Sequence, residues 1–387
     1  MNTTDILIIG AGHAGVECAL ALRNNGFSGA ITLLSAEQEL PYERPPLSKA
    51  LLAGSTDTER IRLRAQSVFD EQRVDLVLGC SIVRLDVANN EALAADGQRW
   101  RYRHCVLATG AHARMLPQPT GVDVFAIRTL ADVAGLRARL AAGMRLLVVG
   151  GGYLGLEAAH TAAKLGAQVT VLEQGAAIMP GRVSLHAAGY FDALHREYGV
   201  QLVTDCRIER WSHDEQGWQA QDANGAVHQG DLVLVAVGAT PDMALAQDAG
   251  IACANGILVD QECRTSAAGV FAIGDCAAAL RPECGGHVRV ESVNNALVQA
   301  KLVAALLTGK PVAAARPPSF WSEQCGKRLQ MAGLLLPHSE ILDKVVSTAR
   351  GWVVERYQDG VLRVVEAVDS PVEFMQAVKR IGADANP

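Results

Sequence analysis

The stretch Ile6-Leu7-Ile8-Ile9-Gly10-Ala11-Gly12-His13-Ala14-Gly15 decides how the chain is read. A short apolar run rich in β-branched residues fits a strand buried on both faces, and glycines at GxGxxG spacing fit a tight turn that opens a helix. The same pattern returns as Leu146-Leu147-Val148-Val149 followed by Gly150-Gly151-Gly152-Tyr153-Leu154-Gly155. Each copy continues into a helix, to about residue 23 and about residue 165, and then into a second apolar strand at 31–34 and 169–172. A lone GxGxxG is weak evidence, because glycine clusters occur in many turns. Two copies, each after a strand and before a helix, meet the context a dinucleotide fingerprint requires, in which backbone N–H groups and a helix N-terminus face a pyrophosphate. Gly10, Gly12 and Gly15 are assigned to one such site, and Gly150, Gly152 and Gly155 to the other.

The residue after the second strand separates the two sites. In the second copy Glu173 follows the strand directly, where a carboxylate accepts hydrogen bonds from ribose hydroxyls and repels a 2′-phosphate, and Gln174 and Gly175 supply no cation to reverse that. This site reads as NAD. In the first copy Ser35 and Ala36 follow the strand, and the first carboxylate is Glu37.

Composition sets the outer limits. At roughly 150 residues per domain, 387 residues imply two to three domains. Hydrophobic residues make up 49% and charged residues 20%, which fits a soluble globular protein. A formal charge of −6 removes the basis for nucleic-acid binding through the whole surface. No apolar run reaches the roughly 18–20 residues of a membrane span, and the N-terminus lacks the basic start of a signal peptide, so a cytoplasmic protein with no membrane partner is expected. The nine cysteines include no CxxC, and the nearest pair, Cys276 and Cys284, lies eight positions apart. With His13, His104, His112 and His338 also scattered, no metal is expected.

Further segments give the two sites a common chemistry. Val106-Leu107-Ala108-Thr109-Gly110 is an apolar strand ending in a small-residue turn, with a counterpart ending at Gly238, and Val270-Phe271-Ala272-Ile273-Gly274-Asp275 is another such strand and turn. Together with Pro41-Tyr42-Glu43-Arg44-Pro45-Pro46-Leu47-Ser48-Lys49, Glu291-Ser292-Val293-Asn294-Asn295-Ala296 and Phe320-Trp321-Ser322-Glu323-Gln324, they make the chain resemble the FAD-dependent NADH:ferredoxin reductase family, of putidaredoxin and rubredoxin reductase type, from residue 6 to about 380.

The resemblance implies an α/β fold with two Rossmann-like dinucleotide-binding domains, as in glutathione-reductase-like flavoproteins, and an α+β C-terminal domain. An FAD domain would comprise 1–112 and 242–318, an NAD domain 113–241, and the C-terminal domain 319–387. FAD contacts carried over fall on Ala14, Lys49, Ile82, Arg128, Asp275 and Val293, with Glu37, Arg44, Ala108, Thr109, Gly110, Gly274, Glu291, Ser292 and Trp321 in the surrounding segments. NAD contacts add Tyr153, Leu154, Arg182 and Gly238 to the glycines and Glu173. Lys49, paired with Glu157, would place a cation at the flavin edge that gains negative charge on reduction. Two positions depart from the family: Ala36 stands where an acid is usual, and Ser319 where many relatives carry Trp.

The cysteines exclude one exit for the electrons. Disulfide reductases of this fold carry a CxxxxC or CxxC motif, whereas the first helix here has only Cys18, and the loop in which peroxide reductases place a thiol reads Ser48-Lys49. The acceptor expected is a ferredoxin-type [2Fe–2S] protein feeding an oxygenase or P450. Its acidic surface would meet Arg60, Arg62 and Arg64, which alternate with Ile61 and Leu63 as one strand face, or Lys310, Arg316, Lys327 and Arg328. A monomer or weak homodimer is expected. Two alternatives stand beside this reading: reduction of oxygen, quinone or peroxide on the same fold, and an NADH-sensing flavoprotein like apoptosis-inducing factor, against which the lack of long insertions and of a targeting segment counts.

Overall fold

The computed structural model describes residues 1–121, 123–314, 316–337 and 339–383. It forms two compact units. The first comprises Met1–Glu43, Ile61–His112 and Pro241–Phe320, and the second Arg44–Arg60, Ala113–Thr240 and the chain from Trp321 onward. The segment carrying Lys49 and the C-terminal tail therefore cluster with the middle of the chain.

The first unit is built on a parallel sheet of β1 (Asn2–Ile9), β2 (Ile31–Leu34), β3 (Val74–Val77) and β4 (Arg99–Leu107) in the order β3-β2-β1-β4. The end of β4 also pairs in parallel with the strand Val270–Ala272. Successive side chains of a strand point to opposite faces, and both faces are covered. Ile6, Ile8, Ile31, Leu33 and Val106 pack with Cys18 and Leu22 of α1 (His13–Asn24) and with Ala300 and Val303 of the helix Val293–Thr308. Leu7, Ile9, Leu34, Cys105 and Leu107 pack on the other side with Ile257 and Val259. This is why the central runs 6–9 and 105–107 are continuously apolar rather than alternating.

The second unit repeats the plan. β5 (Arg145–Val149) leads through the second glycine turn to α2 (Tyr153–Lys164) and β6 (Gln168–Leu172), and α3 (Leu185–Glu197) leads to β7 (Gln201–Val203). An antiparallel trio follows: β8 (Ile208–Asp214), β9 (Gly217–Asp222) and β10 (Val227–Gly230), after which β11 (Leu232–Val235) returns beside β5. The tail carries a five-stranded antiparallel sheet, including the hairpin of Trp352–Gln358 with Val361–Val368 around Asp359 and Gly360, against which the helix Pro371–Val378 packs Phe374.

One local expectation is corrected. The alternation through Arg60, Arg62 and Arg64 predicts a strand face, but the chain turns there and makes a single antiparallel bridge between Tyr42 and Arg62. The carbonyl of Ile61 accepts from Glu43 N–H at 2.7 Å, and Leu63 N–H donates to Pro41 at 2.8 Å. The ladder goes no further because Pro45 and Pro46 offer no N–H.

Candidate active site

Strand register gathers the first set of site residues. Ile9 lies opposite both Leu34 and Leu107, and Leu107 lies opposite Ala272. The turns that follow these strands therefore leave the sheet side by side: Gly10 to Gly15, Ser35 to Glu37, Ala108 to Gly110, and Gly274 with Asp275. A crevice outside the carboxyl ends of parallel strands is where open α/β sheets bind ligands. Gly10 has φ +109°, and a Cβ there would meet the Ala108 carbonyl oxygen at 2.2 Å, while a Cβ at Gly15 would meet the Gly10 carbonyl oxygen at 1.9 Å. Only glycine permits this approach. At Gly12, between them, a Cβ would meet nothing within 4 Å, so this backbone faces open space.

Neighbouring groups complete that crevice. Gln299 Oε1 accepts the Gly274 N–H at 2.8 Å, tying the Asp275 turn to the helix Val293–Thr308, whose N-terminus is capped by the Ser292 hydroxyl on Asn295 N–H at 3.1 Å. Arg289 pairs with Glu291 and reaches the Asp275 carbonyl at 3.4 Å. The Tyr42 hydroxyl donates to Glu37, and Cys80 N–H donates to the Ser35 carbonyl at 2.7 Å, which brings the segment leading to Ile82 beside Glu37. The Thr109 hydroxyl donates to the Asp242 carbonyl at 2.8 Å. Ala36 is exposed and adds no group.

The second unit gathers its own set in the same way, since Val149 lies opposite both Leu172 and Val235. Gly150, Glu173 and the segment ending at Gly238 leave the sheet together. Glu173 is 6% exposed, and its carboxylate accepts Gly151 N–H at 2.8 Å through Oε2 and Gly175 N–H at 2.7 Å through Oε1. The residue read as a ribose acceptor thus also holds the glycine turn closed, with one lone pair on each oxygen left over. Met179 N–H donates to the Gly151 carbonyl at 2.8 Å, and the Tyr153 hydroxyl, which burial makes hard to ionise, contacts Met331 Sδ at 3.2 Å and the Arg182 carbonyl at 3.5 Å. Leu154 and Arg182 are exposed.

The two fingerprint helices both start at a glycine. Thr129, Ser184 and Ser292 cap their helices with side-chain oxygens, whereas α1 and α2 begin at Gly12 and Gly152, which carry none. First-turn N–H groups need partners, and a helix N-terminus favours negative charge. Both ends therefore suit a pyrophosphate.

The remaining expected residues, Arg44, Lys49, Arg128, Glu157 and Trp321, meet within the second unit. A π-helical turn, Leu47–Leu51, sits on α2, and Lys49 within it leaves helical dihedrals at φ −118° and ψ −105°. Lys49 Nζ lies 2.7 Å from Glu157 Oε2, and Glu157 is 7% exposed. The same oxygen accepts the Ser48 hydroxyl at 2.6 Å, and Oε1 accepts the Ser322 hydroxyl at 2.6 Å. Thr161 on α2 donates to the Ser48 carbonyl at 2.9 Å. Ser322 in turn accepts from Gln324 Nε2 at 3.0 Å, and Gln324 Oε1 lies 3.0 Å from His195 Nε2. Arg44 donates to the Arg128 carbonyl at 2.7 Å, and Arg328 lies over the Trp321 ring at 5.7 Å.

Sequence reasoning named Lys49 and Glu157 and missed Ser48, Ser322, Gln324 and His195 as their supports. A signal was present: in Ser319–Gln324 the polar Ser322 and Gln324 share one face, and that face is the buried one, at 0% and 1% exposure.

The nine cysteines are free. Burial raises the Cys18 thiol to about 12 and also raises Cys276. Among the described residues no helix is long and apolar enough to cross a membrane.

A family model described as pyridine nucleotide-disulphide oxidoreductase matches residues 4–300, and one described as reductase C-terminal matches 319–387. The chain belongs to the pyridine nucleotide-disulphide oxidoreductase family. The family binds FAD and works with NAD(P)H, and the two uncapped helix ends and the open face at Gly12 fit such groups. Similar relatives include rhodocoxin reductase of Rhodococcus erythropolis, 41% identical over 85% of this chain and 78% of that protein, and putidaredoxin reductase of Pseudomonas putida, 35% identical over 100% and 94%. Among solved structures, a covalent putidaredoxin reductase–putidaredoxin complex superposes with a TM-score of 0.92 at 32% identity, covering 99% of this chain and 95% of that one. The ferredoxin reductase for the CYP199A2 system of Rhodopseudomonas palustris gives 0.91 at 34% identity, covering 100% and 96%. The disulphide in the family's name has no counterpart here, since every thiol is unpaired.

Proposed function

We propose that this protein is an FAD-dependent NADH:ferredoxin oxidoreductase, cytoplasmic and acting as a monomer or weak homodimer, that supplies electrons to a [2Fe–2S] protein serving an oxygenase or P450. The observation that carries the reading is the set of nine unpaired cysteines on a scaffold of the pyridine nucleotide family. Relatives named as reductases of rubredoxin, putidaredoxin and ferredoxin support it over nearly the whole chain.

FAD, when bound, accepts a hydride from nicotinamide and gives up electrons singly. The chain supplies position and field. The open N-termini of α1 and α2 would hold dinucleotide phosphates, and Arg44 and Arg128 would add cations. Glu173 keeps the second glycine turn closed and repels a 2′-phosphate, which selects NADH. Lys49 is the fixed cation: Glu157, anchored by the Ser48 and Ser322 hydroxyls, holds the ammonium in one place, so it needs no reorganisation when negative charge develops nearby. On the partner side, Arg62, Arg64, Lys310, Arg316 and Arg328 are exposed, whereas Lys327 is engaged by Asp369 at 2.6 Å.

The test is NADH oxidation with a [2Fe–2S] ferredoxin present or absent, alongside oxygen, a quinone and peroxide as sole acceptors. Stimulation of tenfold or more by the ferredoxin is expected. Equal turnover with a small acceptor alone would replace this reading with the small-acceptor one.

A further inference from the structure

We propose that Cys206, Asp222 and His228 form a binding site for a divalent transition metal ion of the zinc class. Their ligating atoms converge: Cys206 Sγ lies 3.9 Å from Asp222 Oδ2 and 3.7 Å from His228 Nε2, and Nε2 lies 3.1 Å from Oδ2. A tetrahedral zinc ion with bonds of about 2.3 Å to sulfur and about 2.0–2.1 Å to nitrogen or oxygen spaces its ligands by roughly 3.3–3.6 Å. The observed triangle needs adjustments of only a few tenths of an ångström to match. The mixture of sulfur, nitrogen and a single carboxylate selects zinc-like ions over magnesium or calcium, which prefer all-oxygen shells.

The ligands are buried and pre-aimed. Cys206 and Asp222 are 3% and 6% exposed, and the His228 side chain 13%, so access lies on the histidine side, where a water can serve as fourth ligand. Asp222 Oδ1 is occupied by the N–H groups of Asn224 at 2.9 Å and Ala226 at 3.0 Å, which turns Oδ2 toward the cysteine and histidine. Such outer hydrogen bonds orient carboxylate ligands in metal sites. The β9–β10 ladder fixes the histidine, with Ala220 opposite His228, and Cys206 N–H donates to the Glu173 carbonyl at 2.9 Å.

A hydrogen-bonded Cys–His–Asp relay would engage both ring nitrogens, one toward the thiol and one toward the carboxylate. Here a single nitrogen, Nε2, faces both, which is the geometry of groups aimed at one point. An ion there would join the start of β8, the end of β9 and β10 to the backbone of Glu173. Binding replaces the thiol proton, which leaves to solvent, with a metal–sulfur bond, and takes the imidazole neutral. No spacing in the sequence marks these residues; the antiparallel trio creates the site.

The FAD-loaded full-length protein, stripped with a chelator and dialysed, is titrated with Zn²⁺ and separately with Co²⁺. One equivalent of tightly held zinc per chain is expected, together with cobalt ligand-field bands to the red of the flavin absorption and a rise in melting temperature of about 5 °C with zinc. Cys206→Ala and His228→Ala should retain FAD fully yet lose the stoichiometric zinc and the cobalt bands. Should a histidine variant fold poorly, Cys206→Ala alone decides, because it removes only a small buried group. Absence of stoichiometric uptake by the wild type, or equal uptake by wild type and Cys206→Ala, would overturn the site and leave a hydrogen-bonded histidine–aspartate pair beside a thiol.

Discussion

The carboxylate of Glu157 is gripped from three directions, and among the described residues the Lys49 ammonium at 2.7 Å is its one charged partner, beside the hydroxyls of Ser48 and Ser322. Lys49→Met removes that cation and leaves the anion buried. Flavin reduction by NADH should slow tenfold to a hundredfold, about 1.4–2.7 kcal/mol of barrier, and the flavin potential should fall. Stopped-flow bleaching of the flavin measures the rate. Unchanged rate and potential would mean that Lys49 is a structural cover.

Ser322→Ala tests the support rather than the cation. It removes one hydrogen bond to a buried carboxylate and leaves Gln324 Nε2 with the weaker Met179 sulfur, at 3.8 Å, as its acceptor. A three- to tenfold slower reduction is expected, about 0.7–1.4 kcal/mol. Because Ser322 acts through Glu157, its effect should shrink in the Lys49→Met background; full additivity would separate the two residues.

Glu173 has two jobs that can be told apart. The wild type should favour NADH over NADPH by at least tenfold in kcat/KM, about 1.4 kcal/mol. Glu173→Gln keeps an acceptor for a turn N–H and loses the charge, so it should relax the preference. Glu173→Ala abandons the N–H groups of Gly151 and Gly175 and should also cost about 1–3 kcal/mol of stability, seen in denaturant titration. Equal efficiency with both nucleotides in the wild type would refute the discrimination.

Replacing Cys18, Cys276 and Cys284 together with Ala should leave ferredoxin turnover within about threefold, under roughly 0.7 kcal/mol. Abolished turnover in a folded, FAD-loaded variant would restore a thiol relay.

Histidine burial gives a pH prediction. Burial pushes His160 down to about 4 and also lowers His195, while a histidine in an unfolded chain titrates near 6.5. Below about 6.5 the unfolded chain takes up protons that the folded one refuses, so this stability is complete above that pH and is lost as pH falls toward 4. The melting temperature should decline over that window, and less steeply in His160→Gln. Parallel curves would assign the decline to other groups.

The sequence made the frame legible for a physical reason. Apolar strands, glycine turns and small-residue helices are local patterns, and parallel register then places their ends together, so Gly10 with Gly274 and Gly150 with Glu173 needed only the fold class. The supports of Glu157 were hidden because Ser322 and Gln324 turn polar groups inward, against the usual pattern, and only the opposed α2 explains why. The backbone bonds of Glu173 were equally hidden, since a carboxylate after a strand reads the same whether it faces ribose or its own turn. The Arg60 to Arg64 alternation misled because strand pairing needs a partner with free N–H groups, and that partner is rich in proline.

Reduced flavins shed peroxide when their acceptor runs short, and accessible thiolates are what peroxide attacks first. Seven of the nine cysteines are buried, and burial holds several of their thiols far from ionisation. This protein is therefore built to tolerate its own leakage: idling with NADH in air, it should accumulate oxidised methionine at the exposed Met115 and Met375 before it loses a core thiol.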